Sequence, residues 1–336
     1  MNKTVLYTVI FIVLAVAIGL FIKGQSGDTF GNSANDFTIN NTDEIHRIFI
    51  GDRDNNKVEL IKQPNGSWEV NGKYKARQAA IDLLLETATK IDVLYILPDA
   101  AKEGVYRELA ERGRLVRFFD KNGNKIKGYQ VGGIAIDNQG THAMMEGFEQ
   151  PYVVHIPIWE GHLMPRYMVS ERDWRDRTVF EIPYDKIESV SLEYPNQRIH
   201  SFILNQKNKE YTITPFYETT TKINTPINEA AAQQYVTEFK RLVAETIKSD
   251  VPSQLRDNKD ILPFCVVTVK TTDGTERRVD FYPIPNKNTS ETEGLSSILP
   301  NGIPERYFAT SDKQVYMVQH LVFMKIFSSY ASFFDK

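Results

Sequence analysis

Apolar and polar positions alternate in short runs from residue 45 onward: 45–50, 57–61 and 68–70, separated by Asp52-Arg53-Asp54-Asn55-Asn56 and by Pro64-Asn65-Gly66. A period of two broken by turn-forming residues predicts a three-stranded antiparallel meander. The period then lengthens over 76–89, where Ala80, Leu83, Leu84 and Ala88 recur at helical spacing and offer one apolar face to a sheet. A second helix is predicted over 101–112, stopped by Gly113. Strands resume at 115–119, at 125–131 after the Asn122-Gly123 turn, at 140–145 and at 152–156. Gly132-Gly133, at a strand end, reads as a bulge or turn and not as a phosphate cradle.

At Ile187 the pattern starts again. Runs 187–194, 200–204 and 211–213 repeat the opening meander, with Tyr211 where Trp68 stood. A helix is predicted over 226–247, with Pro226 at its start and Ala231, Tyr235, Phe239, Leu242 and Ile247 near one face. The hairpin 264–271/277–282 across Asp273-Gly274 and the runs 307–310 and 314–318 follow in the order of their counterparts. Paired elements are offset by roughly 140 to 165 residues, a spacing that suits duplication of a domain. The expected class is α+β: two tandem related domains of antiparallel sheet covered by helices, 37–180 and 181–336, joined near 180–185. A last helix, apolar on most sides, is predicted over 318–334.

Ahead of these domains, residues 5–22 (VLYTVIFIVLAVAIGLFI) form a run without a charge, about 18 residues long, the length a helix needs to cross hydrocarbon. A single transmembrane anchor is expected within 1–23, followed over 24–36 by a Gly-, Ser- and Asn-rich flexible linker. The competing reading is a cleaved secretory signal, with Lys3 as its positive region and Ala15 and Ala17 as its cleavage site. Cleavage there would leave an unusually apolar new terminus, which favours retention. Lys3 and Lys23 flank the run almost symmetrically, and long domains translocate whatever their charge, so the body is expected in the periplasm and the anchor in the inner membrane.

Composition changes this picture little. The chain is 41% hydrophobic and 11% aromatic, enough for real cores, and its formal net charge of -3 with signs interspersed implies no nucleic-acid partner. The lone cysteine, Cys265, sits in the apolar strand pattern Phe264-Cys265-Val266-Val267 and reads as a buried thiol. No H-E-x-x-H, G-x-S-x-G, G-x-x-x-x-G-K-[ST] or G-x-G-x-x-G occurs. His142, His155 and His162 cluster in sequence but match no metal-ligand spacing, so no cofactor or metal is expected. The polar stretch 284–304 is long for a loop and reads as disordered.

Ser67-Trp68-Glu69-Val70-Asn71, Tyr129-Gln130-Val131-Gly132-Gly133 and Trp174-Arg175-Asp176-Arg177 resemble the family catalogued as domain of unknown function 4340, especially its Bacteroidota members. The likeness covers most of 36–180 and, more weakly, the second half. It implies an envelope protein with one N-terminal anchor, from a family whose genes often lie near gliding-type ABC transporter components. It transfers no catalytic residue.

The densest charge and aromatic cluster is Arg172, Asp173, Trp174, Arg175, Asp176 and Arg177, preceded by Arg166. One reading is a cluster closing the first domain at its junction with the second, with arginines paired to Asp173 or Asp176 and stacked on a buried Trp174. The other is a partner-docking patch, since Arg and Trp are enriched at interface hot spots. The expected function is a non-enzymatic, membrane-anchored periplasmic accessory or adaptor subunit of an inner-membrane protein complex. The alternative is an envelope enzyme or ligand-binding protein acting on glycans or peptides through a carboxylate pair.

Overall fold

The computed structural model describes residues 35–284 and 304–334, apart from positions 137, 209, 258–260 and 313. The expected anchor over 5–22, nearly all of the linker and the stretch 285–303 lie outside the described residues. Among the described residues no helix is long and apolar enough to cross a membrane. The chain divides into two compact units, 1–176 and 177–336.

The first unit opens with β1 (Arg47–Gly51), β2 (Lys57–Lys62), β3 (Trp68–Val70) and β4 (Tyr74–Lys75). Helix α1 (Gln78–Lys90), β5 (Asp92–Ile96) and helix α2 (Asp99–Arg112) follow, then β6 (Arg114–Phe119), β7 (Lys125–Ile134), β8 (Thr141–Met145), β9 (Pro151–His155) and the single-turn α3 (Glu171–Trp174). All nine strands form one antiparallel sheet in the order β4-β3-β2-β1-β6-β7-β8-β9-β5. Helix α1 buries Ala80, Ile81, Leu84, Thr87 and Ala88 in a core with Phe118, Tyr129 and Val154. Leu83, expected on that face, is 41% exposed, because the covered stripe runs through Ile81 instead. Successive strand residues point to opposite faces, and Val153, between Tyr152 and Val154, joins Leu97, Val105, Leu109 and Ala135 in a separate cluster beneath α2. The two helices therefore cover opposite faces of one sheet.

The second unit contains β10 (Thr178–Phe180), β11 (Ile187–Glu193), β12 (Phe202–Lys207), β13 (Glu210–Pro215), helix α4 (Glu229–Thr237), β14 (Leu242–Val243) and β15 (Thr246–Ile247). It closes with β16 (Cys265–Thr271), β17 (Glu276–Ile284), β18 (Arg306–Ser311) and β19 (Gln314–Gln319). Its main sheet runs β13-β12-β11-β16-β17-β18-β19-β15, the order of the first sheet from β3 to β5, element for element. In each sheet the strand after the helix crosses to the far edge and pairs with the last strand, β5 with β9 and β15 with β19. Cys265 is wholly buried, and burial pushes its thiol well above the ordinary value.

Two helix expectations are corrected. The helix expected over 226–247 ends as α4 at Thr237 plus one 3-10 turn, Glu238–Lys240. Beyond it Leu242–Val243 pairs with β10 and Thr246–Ile247 with β19, so sheet pairing and the β-branched Val243, Thr246 and Ile247 override the helical spacing of the apolar residues. The helix expected over 318–334 is instead the end of β19, a turn of helix at His320–Phe323 and 3-10 turns at Met324–Ile326 and Tyr330–Phe333. A segment apolar on all sides cannot be covered by one helix packing on one surface. Broken up, it buries Phe323, Ile326, Tyr330 and Phe333 in the second unit's core and leaves Leu321 at 82% and Met324 at 50% exposure.

The hairpin joining β16 to β17 carries a pH-dependent bond set. Asp273 Oδ1 accepts from Thr271 Oγ1 at 2.6 Å and from the Thr275 amide at 2.9 Å, and the Thr271 bond first, then the amide, hold its carboxyl at about 2. A folded-state value below the unfolded one stabilises the hairpin fully at neutral pH. That stabilisation is expected to disappear as pH falls through the usual carboxylate range toward about 2, which an NMR titration of the Asp273 carboxyl would follow.

Candidate functional site

The segment 172–177 closes the outer edge of β4. The Arg77 amide donates to Trp174 O at 2.7 Å and the Asp176 amide to Lys75 O at 2.8 Å, while Ala76 and Arg175 form an antiparallel bridge. A sheet edge that would offer unpaired amides and carbonyls is thereby covered from within the unit. Trp174 is fully buried, and its indole N–H donates to Met168 O at 2.7 Å. The guanidinium of Arg175 stacks 3.6 Å from the Tyr74 ring centroid and lies 3.9 Å from Glu171, whose other oxygen accepts from Asn71 at 2.8 Å. Asp176 pairs with Lys75 at 3.2 Å, and the Asp173 carbonyl accepts from Arg77. Arg172 lies within α3. Arg177 begins the second unit, where its guanidinium donates to Glu245 O and its carbonyl accepts from the Ala244 amide. Arg166 lies elsewhere, stacked 4.3 Å from the Trp159 ring and donating to Thr87 Oγ1.

His142 lies on β8, His155 ends β9, and His162 precedes Leu163, whose amide donates to Thr141 Oγ1 at 2.7 Å. Among the described residues no group of three His, Cys, Asp or Glu side chains is placed to hold a metal ion. His142, on β8, is buried, and its Nδ1 lies 2.7 Å from Glu108 Oε2 on α2, a geometry in which the ring nitrogen donates. The other oxygen of Glu108 accepts from the Gly133 amide, at the point where β7 shifts register against β8. Gly132-Gly133 is thus a bulge, and its glycines have a packing reason. A Cβ at Gly133 would stand 2.5 Å from Glu108 Oε1, and one at Gly132 2.9 Å from Leu109 Cδ2. Glu108 pins α2 to the sheet through two polar groups that β7 and β8 would otherwise leave unmatched. Sequence reasoning missed this partnership because its members are 25 and 34 residues apart and only the fold joins them.

At the same end of the sheet the turn after β9 has an unusual residue. The Trp159 amide donates to Ile156 O at 3.1 Å, Pro157 holds the first central position, and Ile158 has φ of +68°. Proline's fixed negative φ followed by a positive φ is the type II arrangement, which favours glycine at the position Ile158 occupies. Ile158 is fully exposed. The Trp159 ring is held between Arg166 and Gly161, where a Cβ would come within 2.9 Å of the indole. Ile158→Gly is expected to stabilise the first unit by about 0.5 to 1 kcal/mol, because removing a left-handed penalty of about 1–2 kcal/mol exceeds the backbone entropy that glycine loses. Urea unfolding checks the sign.

The model of a known family matches residues 68–259, more than half of the chain, from β3 of the first unit to a point ahead of β16 in the second. That family is described as a domain of unknown function (DUF4340). The chain belongs to it. The stretch shared with DUF4340 contains the Glu108–His142–Gly133 bonds, the turn at Ile158 and the whole of 172–177. No curated protein and no solved structure matches the chain.

Proposed function

We propose that this DUF4340 chain is a non-catalytic module anchored in the inner membrane through residues 5–22, with its body in the periplasm as accessory or adaptor subunit of an inner-membrane assembly. A gliding-type ABC transporter is the assembly that the family resemblance suggests. The observation that carries this reading is the uncharged run 5–22 ahead of two sheet units. Glu108 and His142 fasten a helix, Asp176 and Arg175 close a sheet edge, and the thiol of Cys265 is buried. We further infer that the two units descend from one duplicated α+β unit, which their common strand order supports, with 172–177 as the link that seals the first before the chain enters the second.

Isolation of the tagged full chain from gently solubilised membranes, after crosslinking in cells, tests the adaptor role. A stoichiometric integral-membrane partner is expected. Recovery of the chain alone, or release of a small-molecule product from envelope glycans or peptides by the pure chain, would contradict it.

A further inference from the structure

Three Asn-Gly pairs fall among the described residues: Asn65-Gly66, Asn71-Gly72 and Asn122-Gly123. With no Cβ on the following residue, the backbone nitrogen can approach the asparagine side-chain carbon closely. Whether a pair reacts then depends on how firmly the carboxamide and that nitrogen are held. Asn71 is held at both ends, its Oδ1 accepting from the Glu59 amide at 2.9 Å and its Nδ2 donating to Glu171 Oε2 at 2.8 Å. Asn65 Oδ1 accepts twice, from the Ser67 amide at 3.0 Å and from Ser67 Oγ at 2.7 Å.

Asn65 and Asn122 occupy the same kind of turn. The glycine has φ of +83° at Gly66 and +84° at Gly123, its amide donates to the carbonyl three residues back, and a second bond closes the strands, Gln63 to Ser67 O and Asp120 to Asn124 O. The hairpin between β16 and β17 repeats the arrangement at Asp273-Gly274, where Asp273 Oδ1 takes the Thr275 amide as Asn65 Oδ1 takes that of Ser67. At Asn122 the corresponding amide goes elsewhere. Asp120 Oδ1 accepts from both the Asn122 and the Asn124 amides at 2.8 Å, and its Oδ2 accepts from Asn124 Nδ2 at 2.9 Å. Among the described residues the Asn122 carboxamide is left with one bonding partner, the Asp120 carboxylate, which already serves those other donors. The reacting nitrogen is also held less closely, since Gly123 lies 3.2 Å from its carbonyl against 2.9 Å for Gly66. Asn122 and Gly123 are both exposed. We propose that Asn122 is a site of spontaneous deamidation, set apart from Asn65 and Asn71 by its loosely held side chain. The Gly123 nitrogen attacks Asn122 Cγ, the new N–Cγ bond forms as the Cγ–Nδ2 bond breaks, and the proton of that nitrogen leaves with the amide as ammonia. Water then opens the succinimide at Cγ to give aspartate, or at the backbone carbonyl carbon to give isoaspartate, with no change of oxidation state. Either product sets a second negative charge beside Asp120, and like charges at that range repel.

The full chain, solubilised in detergent, is aged in mildly alkaline buffer, and chymotryptic peptides are followed by mass spectrometry for the exchange of NH2 for OH, with isoaspartate counted by enzymatic carboxyl methylation. Conversion at Asn122 is expected to run about five- to tenfold faster than at Asn65 or Asn71, where at least one further hydrogen bond of ordinary strength must open first. In urea, which removes the turns, the three rates should converge. Ser67→Ala deletes one of the two bonds on Asn65 Oδ1 and should raise conversion at Asn65 severalfold while leaving Asn122 as it was. Equal conversion at the three sites in the folded chain, precedence of Asn65 or Asn71, or a lead of Asn122 that persists undiminished in urea overturns the proposal. So does a Ser67→Ala chain in which Asn65 reacts no faster.

Discussion

Trp174→Ala is expected to destabilise the first unit by about 3 to 5 kcal/mol, the range for truncating a large buried side chain. The indole fills the core under β3, β4 and α1, is fully buried, and has its one donor matched by Met168 O. Its backbone adds to the effect, since the Trp174 carbonyl receives the Arg77 amide at the start of α1 and the neighbouring Asp176 amide binds Lys75. Truncation opens a cavity where the last turn of the unit closes the β4 edge, so the lost packing and the exposed edge act in the same direction. Trp174→Phe should cost less, because it keeps most of the apolar volume and loses chiefly the bond to Met168. Thermal and urea unfolding of both variants measure the difference. An unchanged melting profile in Trp174→Ala, together with loss of a membrane partner, would replace this account with one in which the segment docks.

Glu108→Ala carries the next largest effect, a loss of about 2 to 3 kcal/mol. The carboxylate accepts from two donors on different strands, the Gly133 amide and His142 Nδ1, and removing it strands both beneath α2. Leaving a buried donor unmatched costs more than the net value of the bond it made. Glu108→Gln should be milder, since its amide oxygen can still accept from Gly133. A double-mutant cycle with His142→Ala would give a coupling well above zero, and hydrogen exchange of the Gly133 amide should quicken in Glu108→Ala. Additive single effects and an unaltered Gly133 amide would show that the Glu108 bonds do not hold α2 to the sheet.

Much of the fold was legible because period-two runs and turn residues mark strands directly. The meanders, the helices over 78–90 and 99–112, and the Asn122-Gly123 and Asp273-Gly274 hairpins fall where alternation and turn chemistry put them. The strands β5 and β15 were not foreseen, because β5 is an edge strand that follows α1 with no turn signal between, and β15 is an edge strand of only two residues just after β14. The segments 226–247 and 318–334 misled for the same reason: apolar residues at helical spacing, or on every side, satisfy a buried irregular path as well as they satisfy a helix. At the candidate site the burial of Trp174 follows from its size and its arginine-rich flanks. That it seals an edge strand does not, since β4 is two residues long and its partner lies a hundred residues away. The Ile158 turn was the hardest to see, because Pro-Ile at the centre of a type II turn goes against the glycine preference by which such turns are recognised.

We propose that residues 5–22 hold this DUF4340 chain in the inner membrane. Alkaline-carbonate extraction of membranes from cells making the full chain, with N-terminal sequencing of the product, tests it most directly. The chain is expected in the membrane pellet with residues 5–22 retained. Recovery of the body in the soluble periplasmic fraction, with a new N-terminus after Ala17, would contradict it.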